Sequence, residues 1–191
     1  MKTDLGRLLW PLDRLADALE ELANRAGYGA RSTEARPPDS TSEPSRAWMH
    51  ALAGRLGVEL EPVVPLYREL PLVIRRAAPA LLQVRMNKVP CYLVLLGTRG
   101  RKVRLLGPDA TVALVDPDAV AALVRAEKQD RVGAEVDHLL STLPSGRKHE
   151  QTQSQRQKKV RQRVRTRMLL QRLGEQQLRT CWMMPEKSMP P

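Results

Sequence analysis

Residues able to do covalent or metal chemistry are few in this chain and far apart. Cys91 and Cys181 are its two thiols, and His50, His138 and His149 its three imidazoles, among 191 residues. Two cysteines cannot build a disulfide framework or a four-ligand zinc site. The histidines give neither HxxxH nor HExxH spacing. A phosphate-cradling GxxxxGK[ST] loop is absent, because the Gly97 to Lys102 stretch lacks both its spacing and the Ser/Thr that must follow. No GxSxG elbow presents a serine, and no pair of acids stands out as a general acid/base couple. A catalytic cysteine needs a partner base and normally a helix N-terminus that lowers its pKa. Cys91 instead opens the apolar run Cys91-Tyr92-Leu93-Val94-Leu95-Leu96, where a thiol behaves as a small hydrophobe. These residues call for no cofactor and no metal.

Charge is the second chemical feature. The chain carries 32 Lys+Arg against 21 Asp+Glu, a formal +11. Residues 145–173 hold ten of those bases and a single acid, Glu150, and so account for +9. Residues 1–144 hold 20 bases and 18 acids and are close to neutral. A near-neutral body with one basic element differs from a domain-wide nucleic-acid footprint. At 42% hydrophobic the chain can bury a core, which excludes wholesale disorder. No apolar run approaches the ~20 residues of a membrane span, and Met1-Lys2-Thr3-Asp4 opens no signal peptide. Reduced thiols and a cytoplasmic setting are the expectation.

The elements that must position these groups follow from periodicity. Leu5, Leu8, Leu9, Leu12, Leu15, Leu19 and Leu22 recur at steps of three and four, the stripe of an amphipathic helix, with Pro11 in its first turn and a stop near Gly27. Residues 29–45 are polar and Pro-rich and predict a flexible linker. Ser45 caps a second helix with Trp48, Leu52 and Leu56 on one face and Gly57 at its end. A short strand at 58–64 and a helix from Leu70 to Ala77 come next. Strands are expected at 79–86, 91–96, 101–106 and 111–115, with a hairpin loop at Gly97-Thr98-Arg99-Gly100 and the second of these strands central. Asp116-Pro117 opens a helix to about Glu127; another short one covers 133–143, and a basic helix covers 155–173. On that basic helix Val160, Val164, Met168 and Leu169 mark an apolar edge. A strand from Leu178 to Met184 and a Pro-rich stub, 185–191, end the chain. The fold class is α+β, a small antiparallel sheet with flanking helices. The expected organisation is an N-terminal helix over 1–28, a core over 46–128 and a basic extension over 129–184.

At residues 47–127 the order of features is distinctive. Arg55-Leu56-Gly57 ends a helix, and Ala78-Pro79-Ala80-Leu81-Leu82 begins a strand. Pro90-Cys91-Tyr92-Leu93-Val94-Leu95-Leu96-Gly97 and Val103-Arg104-Leu105-Leu106-Gly107-Pro108 follow. This series resembles the papain-like cysteine peptidase domain at the N-terminus of bacterial ABC exporters of double-glycine-leader peptides. In that family the central strand begins with the catalytic His, an aromatic and aliphatics. The next strand ends in Asp-Pro, and the nucleophile is a Cys at the head of the first helix. Here those positions read Cys91, Gly107 and the Leu9-Trp10-Pro11-Leu12 region. A triad needs nucleophile, base and orienting acid together. With all three lost, the resemblance implies the scaffold without peptide hydrolysis.

The Leu-rich helix, the Arg-rich helix and Leu178-Arg179-Thr180-Cys181-Trp182-Met183-Met184-Pro185 also look like a segment that precedes the first transmembrane helix in some exporters. Membrane and nucleotide-binding domains would follow it there, so the chain would be a fragment, a truncated product or a free-standing relative. The resemblance implies a non-catalytic accessory domain that binds exported peptide or protein, or regulates the transporter, at the inner face of the membrane. Trp10, Cys91 and Tyr92 would line the former cleft; the other reading makes Tyr92 and Trp48 ordinary core aromatics. Cargo binding would then persist in residues 1–130. The basic helix, through Arg156, Lys158, Lys159, Arg161, Arg163, Arg165 and Arg167, could face a partner or the anionic cytoplasmic leaflet. It could also bind nucleic acid, although the long polar link 144–154 does not suit a helix-turn-helix, or be a tail that orders on binding.

Overall fold

The computed structural model describes residues 5–29, 44–87, 89–142, 152–174, 177–178 and 181–185. Its architecture is α+β, a small antiparallel sheet with helices on both faces. The N-terminal leucines do not form one helix. Two 3-10 turns, Leu5–Leu8 and Leu12–Arg14, flank a two-residue strand β1, Trp10–Pro11, and α1 proper runs Leu15–Arg25. Pro11 is extended, with φ −71° and ψ 160°, instead of helical. Its backbone belongs to a ladder with a distant strand, and that long-range pairing displaces the expected helix start from Pro11 to Leu15.

Helix α2, Arg46–Leu56, keeps both expected caps. Ser45 accepts from the Trp48 N–H at 3.1 Å, and Gly57 takes the left-handed φ of 72° that a helix C-terminus favours. The buried face is Met49, Leu52, Ala53 and Leu56, with Trp48 only half-buried at its margin. Strand β2, Glu61–Val63, and helix α3, Leu70–Arg76, follow. Next come β3, Ala80–Met86, β4, Val89–Arg99, β5, Lys102–Leu106, and β6, Val112–Val115. The hairpin joining β4 to β5 narrows to Gly100-Arg101, because φ of 61° at Gly100 lets the chain reverse in two residues.

Two expected helices, 117–127 and 133–143, are a single helix α4, Pro117–Thr142. No proline lies between them, and Val120, Val124, Val136 and Leu140 are buried along the helix with Val132 partly buried between. Helix α5 spans Thr152–Leu173, three residues earlier than expected. Strand β7, Cys181–Met183, completes the sheet, whose order is β2-β7-β3-β4-β5-β6, with β1 joined to β4.

β7 is therefore an interior strand. It pairs with β2 through Trp182 and Pro62 and with β3 through Trp182 and Leu81. A chain cut at residue 130 lacks the strand that joins β2 to β3 and keeps the β3-β4-β5-β6 ladder with β1. The expected linker falls largely on residues 30–43 and the terminal stub on 186–191, both outside the described residues.

β4 is central and covered on both faces, as its unbroken apolar run requires. Tyr92 and Val94 pack with α1 and α2, alongside Leu81, Leu106 and Trp182. Leu93 and Leu95 pack on the opposite face with α3, α4 and the end of α5, beside Leu82, Leu105 and Cys181. Among the described residues no helix is long and apolar enough to cross a membrane.

Candidate functional site

The start of β4 meets β1, the two residues between the N-terminal 3-10 turns. Trp10 pairs with Tyr92 and Pro11 with Cys91 in an antiparallel register. The Trp10 indole N–H donates to the Leu106 carbonyl at 2.8 Å, which fastens the end of β5 to the same spot. Arg14 stacks over the Trp10 ring at 5.2 Å and donates to the Pro108 carbonyl at 3.3 Å. The Leu9–Leu12 region, Cys91 and Gly107, three positions far apart in sequence, thus converge.

The chemistry at this convergence is muted. Trp10 is 2% and Tyr92 1% exposed, so both rings are core side chains and offer no floor to a passing peptide. Cys91 is half-exposed, and burial pushes its thiol up, with a hydrogen bond involving the Met86 backbone acting the other way. A protonated thiol is a poor nucleophile. No described histidine adjoins it: His50 meets Trp182 edge-on at 5.7 Å, and His138 is exposed on α4.

At Gly107 a side chain would be crowded by the ends of three neighbouring side chains. A Cβ there would lie 2.9 Å from Asp109 Oδ1, 3.1 Å from Thr111 Oγ1 and 3.2 Å from Leu8 Cδ2. The nearest acid, Asp109, is exposed and accepts from the Thr111 hydroxyl at 2.6 Å and the Thr111 N–H at 3.3 Å. Those bonds hold its carboxyl below the usual carboxylate range and tie it to its own turn.

The basic helix is a separate surface. Arg165 is committed internally, with Nε on Asp137 Oδ1 at 2.7 Å and Nη2 on Oδ2 at 3.1 Å, a fork that clamps α5 to α4. Arg172 adds an ion pair to Glu135. Lys158, Lys159, Arg163 and Arg167 are exposed and form no ion pair among the described residues, while the side chains of Arg156 and Arg161 lie outside them. Val160 and Val164, expected on the apolar edge, are 58% and 37% exposed; Leu169 and Leu173 supply the buried face. Helical spacing puts Val160 and Val164 opposite Leu169, so the apolar edge divides between two sides of the helix.

Sequence reasoning missed the pairing of Pro11 with Cys91, for which no local signal exists. It also missed the clamp from Arg165 to Asp137, since the two residues lie on separate helices. No protein-family model and no curated protein matches the chain.

Proposed function

We propose that this chain is a catalytically silent, peptidase-like accessory domain of an ABC-type exporter, binding exported peptide on the cytoplasmic side or regulating the transporter. The observation that carries the reading is the ladder joining Trp10–Pro11 to Cys91–Tyr92, with the end of β5 fastened beside it. A papain-like centre needs a helix head, a strand start and a turn at one point. The comparable stretches here, Leu9–Leu12, Cys91 and Gly107, lie close together and lack the family's Cys, His and Asp at those positions, which supports the reading. A cargo would meet the surface around half-exposed Cys91 rather than the buried rings of Trp10 and Tyr92.

The test uses the full chain with a labelled synthetic double-glycine-leader peptide, following association by fluorescence anisotropy and integrity by mass spectrometry. Association without cleavage is expected. Cleavage after the double glycine that disappears in Cys91→Ala overturns the catalytic silence, and absence of association overturns the cargo-binding role.

A second reading rests on the outward face of α5, where Lys158, Lys159, Arg163 and Arg167 meet solvent. Nucleic-acid binding there would show a steep loss of affinity with salt. It would vanish on charge reversal of Lys159, Arg163 and Arg167.

A further inference from the structure

Strand β6 closes one side of the sheet, and no described strand lies beyond it. The Gly107 N–H donates to the Thr111 carbonyl at 2.8 Å, which sets the phase of the ladder. Ala113 opposite Leu105 and Val115 opposite Val103 are then the hydrogen-bonded pairs. Val112 and Leu114 fall in the alternate pairs, so their N–H and C=O groups point outward from the sheet.

Their side chains are 41% and 39% exposed. With Thr98, Arg99 and Arg104 they line a shallow depression of about 480 Å³. Folded proteins blunt such edges with charges, prolines or bulges on the strand itself, and Val112-Ala113-Leu114-Val115 has none of these.

The surroundings are cationic. Arg99, Arg101, Lys102 and Arg104 are exposed around the β4–β5 turn, with no ion pair among the described residues. The acids at the two ends of β6 are engaged locally: Asp109 with Thr111, and Asp116 as acceptor from the Asp118 N–H at 2.9 Å. Pairing of this edge with a second copy would bring two such cation clusters together, which disfavours self-association.

We propose that the β6 edge is a docking site for an extended peptide segment that adds a strand to the sheet. Its backbone would pair with Val112 and Leu114, with an apolar side chain against Val112 and an acidic one reaching Arg104 and Arg99. The site is distinct from the buried Trp10–Tyr92 pair and from Cys91 on the other face of β4, and it holds whether or not the chain belongs to an exporter.

The probe is a short fluorescein-labelled peptide of repeating Leu-Thr-Glu-Thr, which as a strand carries Leu and Glu on one face. Titrated with the full chain, it is expected to bind, and to lose about tenfold or more in affinity with Arg99→Glu plus Arg104→Glu. Charge reversal of Lys159 and Arg163 on α5 should leave affinity unchanged. With the unaltered protein, N-methylation of alternate residues should abolish binding in one phase and spare it in the other. Lack of binding, equal binding of a Lys-for-Glu peptide, equal effects of both N-methyl phases, or loss only with the α5 reversals would each overturn the site. A dimer dissociated by Leu114→Lys would overturn it in favour of a second copy.

Discussion

Gln83 lies opposite Tyr92 in the β3–β4 ladder and is buried, and its Nε2 has no hydrogen-bond partner among the described residues. An unmet buried amide costs roughly 1–3 kcal/mol. Gln83→Met keeps the length of the side chain and removes the amide, so it should stabilise the protein by about 1 kcal/mol, read as a higher urea midpoint at unchanged slope. The two thiols make a second test at this scale. Cys181 is deeply buried and its thiol is pushed up to about 12, while Cys91 is half-exposed and raised less steeply by the same desolvation. In the native protein iodoacetamide should modify Cys91 slowly, at a rate climbing about tenfold per pH unit up to its raised pKa. Cys181 should react only on unfolding, as peptide mass mapping would show. Reading Cys91 as a small hydrophobe needs only the apolar run around it, which is local information. Its pairing with Pro11 needs a ladder spanning most of the molecule, and no residue near either position announces that.

Helices α4 and α5 show what periodicity can and cannot reveal at the scale of elements. The apolar positions Val120, Val124, Val132, Val136 and Leu140 are all in the sequence, but the polar stretch from Lys128 to Arg131 carries no apolar residue to join the two halves. Gly133 lies under Arg165, whose Nη2 would be 3.1 Å from an added Cβ. That atom ends a flexible side chain and can shift. Gly133→Ala should therefore stabilise α4 by somewhat less than the ~1 kcal/mol helix-propensity difference, measured by thermal or urea unfolding. The Arg165 guanidinium holds the Asp137 carboxyl below its usual range. A folded-state pKa depressed below the unfolded value gives stability that is present above the unfolded value and lost as pH falls through the folded one. The gap between the native chain and Asp137→Asn should thus be visible near pH 7 and shrink as pH falls below the ordinary Asp value of ~3.9 toward the depressed folded-state value. The cap at Ser45 and the stop at Gly57 were legible because capping is chemistry between near neighbours. The buried face of α2, centred on Met49 instead of Trp48, was set by the sheet it packs on.

The whole molecule is held by strands from its two ends. β1 lies against β4, and β7 lies between β2 and β3, so both termini of the fold are structural. The class, α+β with an antiparallel sheet, followed from alternation and turn residues. Strand order did not, because a three-residue strand such as β7 carries too little pattern to declare its partners. Truncation after residue 174 removes Cys181 and Trp182 from opposite cores, and it should abolish cooperative unfolding rather than trim an appendage. An exporter head built this way would need its C-terminal strand in place before it could hold a cargo.

We propose that this fold serves a transporter. It is tested most directly by fractionating cells that express the protein natively and probing with an antibody raised against residues 1–30. A band much larger than this chain, confined to the membrane fraction, is expected. A band of the chain's own mass in the soluble fraction, with none in the membrane, would contradict it.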